Sequence, residues 1–165
     1  MSVAVLAYLA GIIDADGCIR VSKTKPYTQR VTPSYHARVH VRMVERDAID
    51  LLDATFGGHV WMQKPTAERG RPLYVWDISD AAAQRALIQL LPYLRVKLPQ
   101  AENALALRSL QAESRQHRTK VTGQKVMVGQ YGQRITSPVK CLSDEFVGQC
   151  HALYLRSREL NRVGI

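Results

Sequence analysis

Cysteine is scarce in this chain and poorly arranged for cross-linking: three among 165 residues, Cys18, Cys141 and Cys150, with no CxxC pair. That count excludes a disulfide framework and suits a reducing compartment. The five histidines are scattered, and His36 and His40 lie in a strand-like stretch without cysteine partners, which argues against structural zinc. No apolar run is long enough to cross a bilayer, so no membrane partner is expected. The apolar stretch 3–13 lacks a basic leading region and runs into Asp14 and Asp16. A secretory signal does not have that form, and an intracellular location is the expectation. No internal repeat is visible. Acid is also in short supply, with 14 Asp+Glu against 23 Lys+Arg and a net charge of +9. Such an excess points to a polyanionic partner, nucleic acid for an intracellular chain. The alternative is charge that merely keeps the protein soluble.

What is present is enough for one domain with a real core, since 46% of the residues are hydrophobic. Residues 3–14 read as a helix: Leu6, Leu9 and Ile13 recur at helical spacing, and Gly17 ends it. From Cys18 the period changes to two, with Ile19 and Val21 alternating with Arg20 and Ser22. After a polar turn over 23–33, Ala37, Val39, Val41 and Met43 alternate with His36, Arg38, His40 and Arg42. One face of that second strand is apolar and the other almost wholly basic. A short helix over 47–56 stops at Gly57-Gly58. Segments 59–64 and 73–78 read as a hairpin. A third helix runs from Asp80, a suitable N-cap, to Leu91, where Pro92 breaks it, and a fourth covers 100–111.

Hairpins with helices between them indicate an α/β (α+β) chain with helices on one face of the sheet. The stretch 115–140 holds six Lys/Arg and no acid, and reads as an extended or partly ordered basic segment. A final helix begins at Ser143, with Asp144 and Glu145 in its first turn and a stripe of Phe146, Cys150, Leu153 and Leu160. The organisation expected is a core over residues 1–110, with residues 111–165 forming a basic loop and C-terminal helix that extend the same domain.

The string Leu9-Ala10-Gly11-Ile12-Ile13-Asp14-Ala15-Asp16-Gly17 is far more specific than any of these patterns. It closely resembles the defining motif of the LAGLIDADG homing endonucleases, with Ile12 where the family name has Leu. The flanks agree: Tyr8 precedes it, a strand follows it, and 47–58 resembles the family's helix ending in Phe-Gly-Gly. Pro92-Tyr93-Leu94-Arg95-Val96-Lys97 resembles its PYLxxK segment, so the likeness spans about residues 6–110 in matching order. It implies an αββαββα fold with a curved antiparallel sheet and extra C-terminal helices. Only one copy of the motif is present, and the family's active sites use two, so the resemblance implies a homodimer.

The residues themselves support that arrangement. Ala7, Ala10 and Gly11 would let two such helices approach with their backbones nearly in contact, with Asp14 on the same interface. An acid at each helix end would then face its mate beside two negative helix termini. A divalent cation relieves that repulsion, as a phosphodiester-cutting site requires. Taken alone, two aspartates are an ordinary polar helix end.

The resemblance carries roles to particular positions. Asp16 matches the metal-binding acid, assisted by the carbonyl of Ala15. Lys97 matches the cation near the reacting phosphate, where it can stabilise developing negative charge. Glu45 falls where the family often has Gln, and either holds a water of the metal site or pairs with Arg46. A second basic active-site residue is expected at Arg69 or Arg71. Mg²⁺ is the implied cofactor, or Mn²⁺, with Ca²⁺ supporting binding without cutting.

A basic sheet face can lie in the major groove of double-stranded DNA. Arg20, Ser22 and Thr24 on the first strand, and Arg38, His40 and Arg42 on the second, are the candidate base readers, with arginine suited to guanine and phosphate. A solvated polar face is the ordinary alternative. Lys23, Lys25, Arg30 and Lys64 are candidates for backbone phosphates. His59, Trp61 and Gln63 alternate on the third strand, and Gln63 is a further candidate contact, although the alternation leaves their face open. Tyr74 and Trp76 read as core. The function implied is double-strand cutting of a long pseudo-palindromic site, serving mobility of an intron or intein. The rivals are an intron RNA maturase and a non-catalytic DNA-binding regulator of the same fold; retained Asp16 and Lys97 favour the enzyme.

Overall fold

The computed structural model describes residues 2–25, 32–65, 70–113, 120–128 and 132–162. Arg30 and Arg69, two of the candidate residues, lie outside them. The elements run α1 (Val3–Asp16), β1 (Gly17–Thr24), β2 (Ser34–Met43), α2 (Arg46–Phe56), β3 (His59–Gln63), β4 (Leu73–Ser79) and α3 (Asp80–Leu90), then α4 (Leu98–Ala112), β5 (Lys120–Val128), β6 (Arg134–Cys141) and α5 (Asp144–Leu160). The first four strands make one antiparallel sheet in the order β1-β2-β4-β3. Its apolar face, formed by Ile19, Val21, Val39, Val41, Trp76 and Ile78, is buried together with Leu9 and Ile13 of α1 and Leu87 and Leu90 of α3. Among the described residues no helix is long and apolar enough to cross a membrane.

Two glycine sites are dictated by contact. Gly17 ends α1, as read from sequence, and joins it directly to β1 with an extended φ of -80°. A Cβ there would lie 2.6 Å from the Ile13 carbonyl oxygen, which no side chain tolerates, and the helix can turn into the strand only without one. At Gly58, φ is +147° and a Cβ would meet Trp76 Nε1 at 2.7 Å. The indole instead donates to the Gly57 carbonyl at 3.0 Å, which satisfies its one polar atom in a fully buried position.

The third helix begins differently from the sequence reading. Ser79 occupies the cap position, without a side-chain bond, and Asp80 is the first helical residue, in the left-handed region at φ +49°. Its carboxylate is turned away from the helix amides and sits 2.8 Å from His36 Nδ1 and 3.8 Å from Arg108. The stretch read as a basic loop holds β5 and β6, paired antiparallel as a sheet of their own. Its β-branched residues (Val121, Thr122, Val126, Val128, Ile135, Thr136 and Val139) account for strands where composition suggested a loop.

The C-terminal helix packs along α4 and the outer side of β1. Ser143 caps it by accepting from the Phe146 N–H. Ser157 of this helix and Asn161 at its C-cap pair the open edge of β1: Ser157 Oγ accepts from the Val21 N–H at 2.8 Å, and Asn161 Nδ2 donates to the Ile19 carbonyl at 3.1 Å. An unpaired edge is a template for wrong association, and here one helix turn covers it. Ser157 is buried, so Ser157→Ala strands the Val21 N–H without an acceptor. The expected loss is about 1–3 kcal/mol of unfolding free energy, read from urea denaturation. A change below about 0.5 kcal/mol would mean that water replaces the hydroxyl.

Candidate active site and nucleic-acid interface

Strand register brings the candidate catalytic residues to one end of the sheet. Gly17 is opposite Val41, Met43 is opposite Tyr74, and Leu73 is opposite Gln63. The end of α1, the β2–α2 turn with Glu45, and the β3–β4 connection with Lys64 and Arg71 therefore share that end. Asp16 is exposed there and has no hydrogen bond or ion pair among the described residues.

Lys97 reaches the same place from the far side of the chain. The segment before α4 is anchored by Leu94, which is fully buried. The Lys97 ammonium then donates to the Asp14 carbonyl, and to the Ala15 carbonyl at 3.3 Å. It thus lies on the carboxyl end of α1, where a cation is favoured by the unpaired carbonyls, one residue from Asp16.

Asp14 does something the sequence did not suggest. Its carboxylate accepts the main-chain N–H of Arg95 at 2.7 Å and of Lys97 at 2.9 Å, so it is turned toward its own chain and away from the expected helix–helix interface. Ala10 is also turned inward, fully buried in the protomer core, and is a core residue rather than an interface one. The outward stripe of α1 is Ala4, Ala7, Tyr8, Gly11 and Ala15, all exposed, at helical spacing on one face. Glu45 precedes α2 as an exposed cap residue without a capping bond. Arg46 pairs with Asp50 at 3.1 Å, so the expected alternative partner of Glu45 is engaged elsewhere. Arg71 is exposed.

The donor set at the end of α1 fits a hard divalent cation only in part. Among the described residues the end of α1 itself offers one unengaged carboxylate, Asp16, while Lys97 occupies the neighbouring carbonyls. Among the described residues no group of three His, Cys, Asp or Glu comes together. Mg²⁺ binds through one or two carboxylates together with waters and substrate phosphates, rather than in an all-protein cage. Two copies of Asp16 flanking a phosphate would meet that pattern.

The polar sheet face carries Cys18, Arg20 and Ser22 on β1, with His36, Arg38, His40 and Arg42 on β2. Register adds Asp77 opposite both His40 and His59, and Trp61 opposite Val75. This settles the third strand: His59, Trp61 and Gln63 share the polar face, and His59 stacks on Trp61 with ring centroids 5.1 Å apart. Tyr74 and Trp76 lie on the opposite, core-facing side as read. Thr24 ends β1 exposed, and Lys25 and Lys64 are exposed just beyond strand ends. The Ser22 hydroxyl lies 3.4 Å from the His36 carbonyl.

Charge on this face is lower than the sequence count implied. Arg38 is held by Asp77, with its Nη2 donating to both carboxylate oxygens at 2.9 and 2.8 Å. His40 is kept neutral, because burial and the nearby Arg20 lower its pKa below the ordinary 6.5. Of three residues read as basic on β2, Arg42 alone is a free cation, and His40 offers a neutral ring for hydrogen bonding. Cys18, in register with His40, adds no charge, since burial pushes its thiol up.

Lys23 is on the other side, its ammonium 5.9 Å from the Tyr35 ring and 6.0 Å from the Tyr154 ring. It borders a cleft of about 370 Å³ between β1 and α5, lined by Cys18, Arg20, Lys23, Tyr154, Arg158 and Asn161 with no carboxylate. Sequence reasoning missed Asp77 and Arg158. Asp77 was readable, since it holds a polar position in the alternation of β4. Arg158 carried no local signal, because only the docking of α5 on β1 puts it there.

No protein-family model matches the chain, and no curated protein matches it. Solved structures do. The homing endonuclease I-CvuI, in complex with DNA in the presence of Mg, superposes with a TM-score of 0.65 at 16% identity over 94% of this chain and 80% of its own. The homing endonuclease I-TnaI matches with a TM-score of 0.59 at 13% identity, over 95% of this chain and 93% of its own. The LAGLIDADG homing endonuclease I-SmaMI, bound to cleaved DNA, matches with a TM-score of 0.61 at 14% identity, over 90% of this chain but 42% of its own. The fold is that of the LAGLIDADG homing endonucleases. In this LAGLIDADG fold the motif covers the second half of α1 and the turn into β1, and Lys97 meets its end.

Proposed function

We propose that the chain is a site-specific DNA endonuclease that cuts both strands of a long pseudo-palindromic site as a homodimer, with divalent metal held between the two copies of Asp16. The observation that carries this reading is the meeting of a free carboxylate and a lysine ammonium at the end of α1, below an exposed stripe of small residues. A regulator that only binds DNA needs neither group. Mg²⁺ or Mn²⁺ at Asp16 would supply charge neutralisation at the scissile phosphate. Lys97, whose ammonium lies on the carbonyl beside Asp16, would offset the growing negative charge of that phosphate. Glu45 and Arg71 lie at the same sheet end and are the next groups in line.

Support for the homodimer comes from the single motif and from the small outward residues Ala7 and Gly11, which allow close helix approach. I-TnaI is covered almost whole by this chain, and I-SmaMI by less than half, so one unit here corresponds to half of the longer enzyme. DNA would lie on the polar sheet face. There Arg20, Arg42 and Gln63 are free to reach bases, Arg38 is steadied by Asp77, and His40 reads as a neutral donor or acceptor. Lys25 and Lys64 suit backbone phosphates, as do Lys23 and Arg158 at the β1–α5 cleft.

The test is selection from a randomised duplex library with Mg²⁺, comparing the wild type with Asp16→Asn. Enrichment of a two-fold-related site that depends on Asp16 is the expected result. Tight binding without cutting would make the chain a regulator, and preference for structured RNA over duplex DNA would make it a maturase.

A further inference from the structure

We propose that Asp14 is a positioning residue for Lys97 in the cutting reaction, an inference that rests on the nuclease reading above. The motif supplies two aspartates two residues apart on a helix, and the structure gives them opposite tasks. Asp16 is exposed, whereas Asp14 is half-buried with both oxygens engaged. Its partners are the backbone N–H groups of Arg95 and Lys97, 81 and 83 residues along the chain. Bonds from N–H groups to a carboxylate are charge-assisted, shorter and roughly twice as strong as neutral ones.

The contact is closed in both directions. Asp14 holds the main chain of the segment that carries Lys97, and the Lys97 ammonium donates back to the Asp14 and Ala15 carbonyls. Apolar packing holds the two ends of that segment, through buried Leu94 and partly buried Tyr93 and Leu98, and the Lys97 carbonyl accepts from the Ala101 N–H at 3.0 Å as α4 begins; between them Val96 is 68% exposed and Arg95 is exposed as well. Across that exposed stretch the Asp14 carboxylate takes the Arg95 and Lys97 N–H groups themselves, and so sets where the ammonium lies relative to Asp16. Asparagine in its place keeps the size but offers one acceptor, and its amide N–H₂ would face a second N–H. One bond is lost, a donor meets a donor, and the segment shifts. A displacement of about 1 Å at a reacting group costs on the order of a hundredfold in rate.

A double-mutant cycle tests this on the full-length protein, with the duplex recovered by library selection as substrate. Single-turnover cutting is measured in Mg²⁺, and duplex affinity in Ca²⁺, for wild type, Asp14→Asn, Lys97→Met and the double variant. We expect Asp14→Asn to slow cutting on the order of a hundredfold, with affinity changed less than about threefold. In the Lys97→Met background the same substitution should cost less than about threefold, because the group it positions is gone. Equal losses in both backgrounds, or wild-type cutting by Asp14→Asn, would overturn the proposal.

Asp14→Glu, which keeps the charge and both acceptors, should recover part of the rate; it also serves if the Asn variant does not fold. A second readout needs no DNA: lysine acylation followed by mass spectrometry. Lys97 should react more slowly than exposed Lys64 in the wild type and approach it in Asp14→Asn; unchanged reactivity counts against the clamp. A wild type that does not cut removes the reaction and the proposal together. Cutting with additive losses removes the positioning role alone.

Discussion

Asp16→Asn is expected to leave a folded protein that binds its duplex in Ca²⁺ and cuts it in Mg²⁺ at least about a thousandfold more slowly. The reason is electrostatic. Asp16 is the one carboxylate at the end of α1 without an internal partner, since Asp14 is occupied by two N–H groups. Asparagine preserves size and polarity but removes the negative charge that draws a hard cation to that position. A Lewis acid at a phosphoryl oxygen would lower the barrier by several kcal/mol, and each 1.4 kcal/mol is about tenfold in rate. Because Asp16 is exposed, folding should not suffer, and the thermal midpoint is the control. Single-turnover cutting on the selected site decides the matter. A variant within tenfold of wild type would remove Asp16 from the metal site and leave Glu45 as the acid to examine.

Gly11→Leu is expected to separate folding from assembly. A Cβ at Gly11 meets nothing within 4 Å in its own protomer, so the larger side chain projects into free space. In a helix interior, Leu is favoured over Gly by roughly 1 kcal/mol, so the isolated protomer should gain stability. At a contact between two α1 helices the same substitution adds a butyl group from each copy to a gap sized for glycine. Overpacking of that kind costs typically about 1–3 kcal/mol per site. Two copies, about 2–6 kcal/mol together, then weaken the dimer by at least about thirtyfold. If the chain works as the proposed homodimer, sedimentation velocity should find dimer for the wild type and monomer for the variant at the same concentration, and double-strand cutting should disappear. A Gly11→Leu protein that still dimerises would show that the two copies meet elsewhere.

What the sequence determined by itself is local. The nine-residue motif marked α1 and its turn, period-two alternation marked β1 and β2, and Gly, Pro and Ser marked most helix ends, because each depends on neighbours a few residues away. The shared end of Asp16, Glu45 and Lys97 was readable only through the resemblance. Within single elements, even local rules missed two points: Asp80 is turned to His36 instead of capping α3, and β5–β6 emerged from a stretch whose composition suggested a loop.

Tertiary structure decided the rest. Asp77 pairs with Arg38 across 39 residues, which takes a cation off the polar face. Burial keeps His40 neutral, and burial is set by what packs around it. Ser157 and Asn161 close the edge of β1 from more than 130 residues away. Asp14 and Asp16 are the same residue type two positions apart. They receive different work because a helix turns them by about 200°, and only the folded chain brings Arg95 and Lys97 to one of them.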